Sequence, residues 1–393
     1  MEREKGGIYV ERRTGPVVWH LLRAESLAGW LTWLALGLYA FTRLVALPAF
    51  PIYFFTDEAI QTVSAVDLIT HHFYSPTGEL LPTYFQNGSQ YNLGVSVYLQ
   101  VIPTLLFGKS IWVTRGTAAL VTLLAAVSVG LVLQRIFKNP YPWLAVMVLS
   151  VTPAWFLHTR TAFETALAAS FFALFLYFYL RYRADDPRWL FGALIAAALA
   201  FYSYSGMRPV LAVMGLLLLV SDGAYHWHHR RIMLAGIGLA VLLMLPLLRF
   251  LIAHPDASAW QMRLLGSYWL TSAPLPQKLV DFALQYLRGL DPVYWYFPNT
   301  VDLSRHVMPG YGHLLRWSLP FGLLGLGMSL RHFREPAYRA LLAAVLAAPA
   351  GAALVQVGIT RILVMVIPMA VLTALGASAA LEWLLARVSL SRA

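Results

Sequence analysis

The stretch Tyr53-Phe54-Phe55-Thr56-Asp57-Glu58-Ala59-Ile60 follows the first long apolar run and sets two acids side by side a few residues beyond its edge. Of the 18 acidic residues, only Glu25, Glu164, Asp222 and Glu382 join Asp57 and Glu58 inside or close against apolar segments. Charge is costly there and is usually paired or functional. Two readings of the pair stand at this point. One is chemistry by two carboxylates; the other is a short interfacial helix whose first-turn acids favour the positive end of the helix dipole.

Working outward, 59% of residues are hydrophobic and 12% charged, too few charges for a soluble globule of 393 residues. The sequence therefore describes an all-α polytopic membrane protein, read as one membrane domain over 1–393. The N-terminus mixes both charge signs without a short apolar core and cleavage site, so no removable signal peptide is expected. Cysteine is absent, which excludes disulfides, thiolate metal sites and cysteine nucleophiles. The net charge of +11 raises nucleic acid as a partner, but the basic residues punctuate the ends of apolar runs and form no tract. Membrane orientation accounts for them, and no nucleic acid is expected.

Against the ~20 residues that a bilayer core requires, apolar runs near 27–47, 111–134, 141–157, 162–180, 189–205, 208–224, 232–252, 314–331, 338–356 and 361–386 predict ten spans. The run 93–107 is shorter and contains Pro103, and its placement decides the topology. If it lies in the interface, one side collects Arg3, Lys5, Arg12, Arg13, Arg23, Arg135, Lys138, Arg181, Arg183, Arg188, Arg230, Arg231, Arg331, Arg334, Arg339, Arg387 and Arg392 of the 29 basic residues, in short connections. That is the cytoplasmic signature. If it crossed, the clusters at 181–188, 230–231 and 331–339 would be outside. Both termini are accordingly expected in the cytoplasm, with external segments 48–110 and 253–313 rich in Trp, Tyr, Phe, Pro and Gly. Such segments suit amphipathic pieces at headgroup level. The piece Tyr225-His226-Trp227-His228-His229 lies beside Arg230 and Arg231 without carboxylates and is read as a solvated juxtamembrane loop.

Twelve basic residues remain outside: Arg43, Lys109, Arg115, Arg160, Arg208, Arg249, Arg263, Lys278, Arg288, Arg305, Arg316 and Arg361. Several stand at the outer ends of spans, against the positive-inside bias. Snorkelling to lipid headgroups is one reason for such placements. The other is a phosphate site, because guanidinium forks match phosphate oxygens bidentately.

With these residues assembled, the sequence resembles the GT-C polyprenyl-phosphate-sugar glycosyltransferases, in the branch of the protein O-mannosyltransferases and lipid A aminoarabinose transferases. The resemblance rests on Asp57-Glu58 after the first span, Leu106 to Arg115 entering the second, Pro153 to Arg160, and Arg305-His306-Val307-Met308-Pro309-Gly310-Tyr311-Gly312 before a late span. It implies a GT-C-like bundle of about ten transmembrane helices with juxtamembrane helices in the first external loop, 93–107 among them. By resemblance Asp57 takes the role of general base, and Glu58 that of partner to Arg115. The His-Pro-Pro-like stretch of many members is replaced here by Tyr91-Asn92-Leu93-Gly94.

The implied reaction moves a sugar from a polyprenyl-phosphate donor to a hydroxyl on a protein, lipid or glycan, with inversion. It needs a base for the acceptor proton and cations for the departing phosphate. Arg160, Arg208 and Arg361 are the expected phosphate ligands, and Asp302, Arg305 and His306 the expected substrate contacts from the second external segment. No cofactor is assigned. A divalent metal held by Asp57 with Glu79 or a histidine stays open, since hard oxygen ligands are present. The rival from another class is a transporter or flippase of lipid-linked sugars, which should place its charges at the midplane and show symmetry between halves. The expected location is a prokaryotic plasma membrane, with the site extracytoplasmic among membrane lipids.

Overall fold

The computed structural model of the protein describes residues 27–390. Arg3, Lys5, Arg12, Arg13, Arg23 and Arg392 lie outside the described residues, as do the readings made on the termini. Helix α1 (Leu27–Leu44) leads into a connecting segment holding α2 (Thr56–Thr70), a hairpin of β1 (Phe85–Asn87) and β2 (Gln90–Leu93), and α3 (Val95–Phe107). Then come α4 (Ile111–Leu131), α5 (Pro142–Val151), α6 (Pro153–His158), α7 (Glu164–Ala184), α8 (Trp189–Ser203), α9 (Met207–Ser221), α10 (Gly223–His228) and α11 (Arg230–Ala253). A second connecting segment carries α12 (Ala257–Leu264), α13 (Leu275–Leu290) and α14 (Pro292–Tyr296). The chain closes with α15 (Leu319–Arg331), α16 (Pro336–Ala347), α17 (Ile359–Ile362) and α18 (Val366–Leu390).

Each of the ten apolar runs contains helix, but among the described residues only five helices are long and apolar enough to cross a membrane by themselves: Ile111–Ile136, Glu164–Ala184, Arg230–Ala253, Pro336–Leu354 and Ile359–Val388. The others are shorter. The run 141–157 is divided between α5 and α6 at Thr152-Pro153, because a residue before proline is pushed to extended backbone; Thr152 has φ −67° and ψ 117°. At 13 residues, α3 spans about 20 Å, short of a bilayer core. It ends at Gly108, whose φ of +73° suits a residue without Cβ. It packs on α2 and α4.

The bundle core is made by α4 with α5 and α7, α7 with α8, and α15 with α18. The last pair is held close by glycine. A Cβ at Gly325 would stand 1.9 Å from the Leu372 carbonyl, and one at Gly376 2.0 Å from that of Phe321. By contrast α11 is the peripheral helix, exposing Leu234, Ile237, Val241, Leu242, Leu245 and Leu248.

Side-chain networks show which connections share an end. The connection after α1 meets the start of α4, so the segment between them leaves and returns on one side. At the other end Asp222, 4% exposed, accepts hydrogen bonds from Tyr179 at 2.6 Å, Arg183 at 2.9 Å and Arg339. That brings together the basic clusters at 181–188 and 331–339. It also corrects the reading of residues 225–229 as a solvated loop. Residues Gly223–His228 are helical, and His226 is buried at 6% exposure, its ring stacked on Tyr182 at 5.6 Å and bonded to that hydroxyl at 2.8 Å. Aromatic neighbours from α7 supply the burial that sequence spacing could not reveal.

Candidate functional site

Asp57 and Glu58 form the first turn of α2, where Glu58 Oε1 reaches back to the Phe55 N–H at 3.2 Å. The helix-start reading and the paired-carboxylate reading thus describe the same residues. Their side chains part at once. Glu58 is fully buried and pairs with the equally buried Arg115, Nε to Oε2 at 2.8 Å and Nη2 to Oε1 at 2.9 Å. Arg115 Nη1 donates to the carbonyls of Leu47 at 3.1 Å and Pro51 at 2.9 Å, and Nη2 to that of Tyr53 at 2.6 Å. All five guanidinium protons therefore have acceptors. Glu58 Oε2 also accepts from the Ala162 N–H at 3.0 Å. The pair clamps the approach to α2 onto α4 and the turn before α7, and nothing in it is left for a substrate.

One residue earlier, Asp57 faces outward. Its Oδ1 accepts from the Asn87 side chain at 3.0 Å, so the hairpin holds the carboxylate while Oδ2 has no partner among the described residues. It borders a cavity of about 260 Å³ whose walls include Gln90 and Asn92 of β2, Glu164, Tyr204, Ser205, Arg305, His306 and Arg361. Two carboxylates and two guanidiniums from four distant parts of the chain thus line one space.

Of the three arginines expected to hold phosphate, only Arg361 borders this cavity. Its Nη1 donates to the Gln356 carbonyl at 3.2 Å, and its remaining protons have no acceptor among the described residues. Arg160 is a correction: 2% exposed, it donates to the carbonyls of Thr42, Val45 at 2.8 Å and Phe50 at 2.9 Å. It is a brace for the chain leaving α1, with its donors occupied. Arg208 is another: its guanidinium lies over the rings of Tyr84 at 4.9 Å and Phe201 at 5.4 Å, off the cavity.

The segment between α11 and α15 contributes differently from expectation. Arg305 lines the cavity, its guanidinium 5.3 Å from the Phe55 ring centre and its Nε donating to His306 Nε2 at 3.2 Å. His306 is 9% exposed and stacks on His158 at 5.5 Å. Burial, with Arg305 beside it, lowers its pKa to about 4, so near neutrality it is an uncharged wall. Asp302 does not reach the cavity. It accepts from the Ile359 N–H at 2.6 Å, Tyr294 at 3.0 Å and His313 at 2.9 Å. Burial pushes its carboxyl up, but the hydrogen bonds from His313 and Ile359 outweigh it and hold the pKa below the usual range. Asp302 therefore fixes the turn that presents Thr360 and Arg361.

Glu164 was passed over as a site residue, although it stands out in sequence as an acid opening an apolar run. It is 7% exposed, lines the cavity, and its Oε1 has no hydrogen-bond partner in the structure. Asp57 and Glu164 are the carboxylates that would meet a cation here. Among the described residues no group of three or more His, Asp or Glu is placed to hold a metal. Glu79, the other carboxylate considered with Asp57, lies in a different cavity, 3.6 Å from His254.

Residues 95–250 match the family model described as dolichyl-phosphate-mannose-protein mannosyltransferase. No curated protein sequence matches the chain. Among solved structures, the chain is similar to ArnT from Cupriavidus metallidurans in the apo state, with 14% identity and a TM-score of 0.59 over 89% of this chain and 60% of that one. The form bound to undecaprenyl phosphate gives 14% and 0.58 over the same shares, 89% and 60%. The archaeal oligosaccharyltransferase AglB from Archaeoglobus fulgidus, in complex with an inhibitory peptide and a dolichol-phosphate, gives 16% and 0.56 over 94% of this chain and 52% of that one. The chain spans about 60% and 52% of their lengths. The fold expected from the resemblance, a polytopic helical bundle of GT-C type, is the fold these structures share.

Proposed function

We propose that the protein is a membrane glycosyltransferase that moves a sugar from a polyprenyl-phosphate donor to an acceptor hydroxyl, on the extracytoplasmic side and with inversion. The observation that carries this reading is the placement of an unhindered carboxylate, Asp57, across one cavity from two guanidiniums with free donors, Arg305 and Arg361. The bound lipid phosphates of the two similar structures support the donor class.

In the reaction Asp57 Oδ2 takes the acceptor O–H proton as that oxygen forms its bond to the anomeric carbon. The bond from this carbon to the phosphate oxygen breaks with its electron pair, and a polyprenyl phosphate leaves. The donor phosphodiester carries one negative charge and the departing monoester two, so the cations interact more strongly with the transition state than with the ground state. No general acid is required. Glu58 serves through Arg115, keeping the Asp57 turn in place, and Asp302 serves through the backbone of Ile359. Glu164, at the inner wall, is the second carboxylate facing the sugar.

Asp57, Glu164, Arg305 and Arg361 meet at this one cavity, which favours an enzyme over a transporter with midplane ion sites. The test is direct: the full chain in lipid nanodiscs is given short-chain polyprenyl-phosphate sugars and hydroxyl acceptors, and released polyprenyl phosphate is measured with the anomeric configuration of the product. Transport of the intact lipid-linked sugar without cleavage of the sugar–phosphate bond would replace this reading with the flippase.

A further inference from the structure

A second cavity, of about 280 Å³, lies on the far side of the β-hairpin from the first. The hairpin is the shared wall. Gln90 and Asn92 face the Asp57 cavity, whereas Gln86 and Tyr91 face this one. Helix α2 runs along both: Asp57 borders the first cavity, and Ser64 and Asp67 border the second. The ten residues between Asp57 and Asp67 correspond to about 15 Å along the helix.

Its chemistry differs from that of the first cavity. No Lys or Arg lines it, while Asp67 and Glu79 do, together with the rings of Tyr74 and Tyr91. The Asp67 carboxylate receives no hydrogen bond or ion pair among the described residues; only its backbone carbonyl is engaged, by Thr70 and His71. The wall is built to keep its shape. Tyr91 is braced by Phe250 at 5.5 Å and His254 at 4.5 Å, and Ser75 Oγ accepts from the Glu79 N–H at 3.0 Å. The Arg249 guanidinium ties the preceding turn through the carbonyls of Leu80 at 3.0 Å and Leu81.

We infer that this cavity is an acceptor subsite for a neutral saccharide, occupied by a sugar ring distal to the one whose hydroxyl is attacked at Asp57. This rests on the glycosyltransferase reading and narrows its acceptor to a glycan. A saccharide offers what these walls accept: hydroxyl donors for Asp67 and Glu79, and a C–H face for an aromatic ring. A phosphate or other anion is disfavoured by two carboxylates with no Lys or Arg in the lining, Glu79 having only His254 at 3.6 Å. The 15 Å offset along α2 makes the occupant a ring some way along an oligosaccharide.

The experiment uses the detergent-purified full chain titrated with neutral manno-, gluco- and galacto-oligosaccharides of one to four residues, read by saturation-transfer NMR, with a serine-containing peptide as comparison. Binding of an oligosaccharide is expected, about tenfold or more weaker in Asp67→Asn and in Tyr91→Ala. Asp67→Asn preserves shape and so answers for any misfolding of Tyr91→Ala. The inference is overturned by binding of the peptide alone, by no oligosaccharide binding, or by equal binding in Asp67→Asn. Release of polyprenyl phosphate by the parent protein is followed separately. Release without oligosaccharide binding removes the subsite and leaves the enzyme, and binding without release does the reverse.

Discussion

Replacing Glu58 with glutamine would leave the shape of the clamp and remove its charge. Arg115 would then sit at 0% side-chain exposure with no counter-ion, its bonds to the three carbonyls kept but one of its two bonds to Glu58 replaced by an amide NH2 that cannot accept. Breaking a buried pair from one side costs about 3–5 kcal/mol. For a chain of this length a loss of that size lowers the apparent unfolding midpoint by on the order of 2 °C per kcal/mol, or roughly 6–10 °C. Arg115→Met should cost at least as much, since it also strips hydrogen bonds from Leu47, Pro51 and Tyr53. In the double variant the uncompensated charge is gone, so its loss should fall short of the sum of the single losses by about 0.5–3 kcal/mol. Thermal unfolding of the four proteins in one detergent, with size-exclusion recovery after heating, measures the cycle. Strict additivity, or an unshifted midpoint for Glu58→Gln, would refute the pair as the clamp that holds the Asp57 turn.

Asp57→Asn keeps the contact with Asn87 and removes the base, so transfer should fall by ~10²–10⁴ with expression and midpoint unchanged; parent-level turnover would sink the assignment. Arg361→Ala and Arg305→Ala each lose a charged hydrogen bond of roughly 1.5–3 kcal/mol and should cost about ten- to a hundredfold in kcat/KM. Arg208→Ala, off the cavity, should stay within a few-fold in the same assay. His306 has a folded pKa near 4, below its unfolded value of ~6.5. The unfolded chain therefore binds more protons between these values, and the stability His306 contributes is complete above pH ~6.5 and lost as pH falls toward 4. His306→Gln should flatten that acid-side decline in a midpoint-versus-pH series.

The sequence by itself determined the elements and the role of neighbours along the chain. Apolar runs of sufficient length have to become helices wherever water is absent, because each backbone group must then be satisfied within its own segment; all ten runs contain helix. The shortness of 93–107 followed from the same one-dimensional bookkeeping of length. The division of labour between Asp57 and Glu58 was implied by the family resemblance; that adjacent residues on a helix point about 100° apart says only that one of the two can face a buried partner. What the tertiary structure alone decided is where the long cations end. Arg160, Arg208 and Arg361 look alike in sequence, each at an outer helix end. An arginine has five donors on a flexible stem, and the nearest acceptors win. For Arg160 these are the carbonyls of the chain leaving α1; for Arg208 two aromatic faces take the guanidinium; only Arg361, held out by the Asp302–Ile359 bond, is left facing the cavity. Glu164 and Asn87 joined Asp57 in the same way, through a turn and a hairpin whose meeting point depends on packing between segments far apart in the chain.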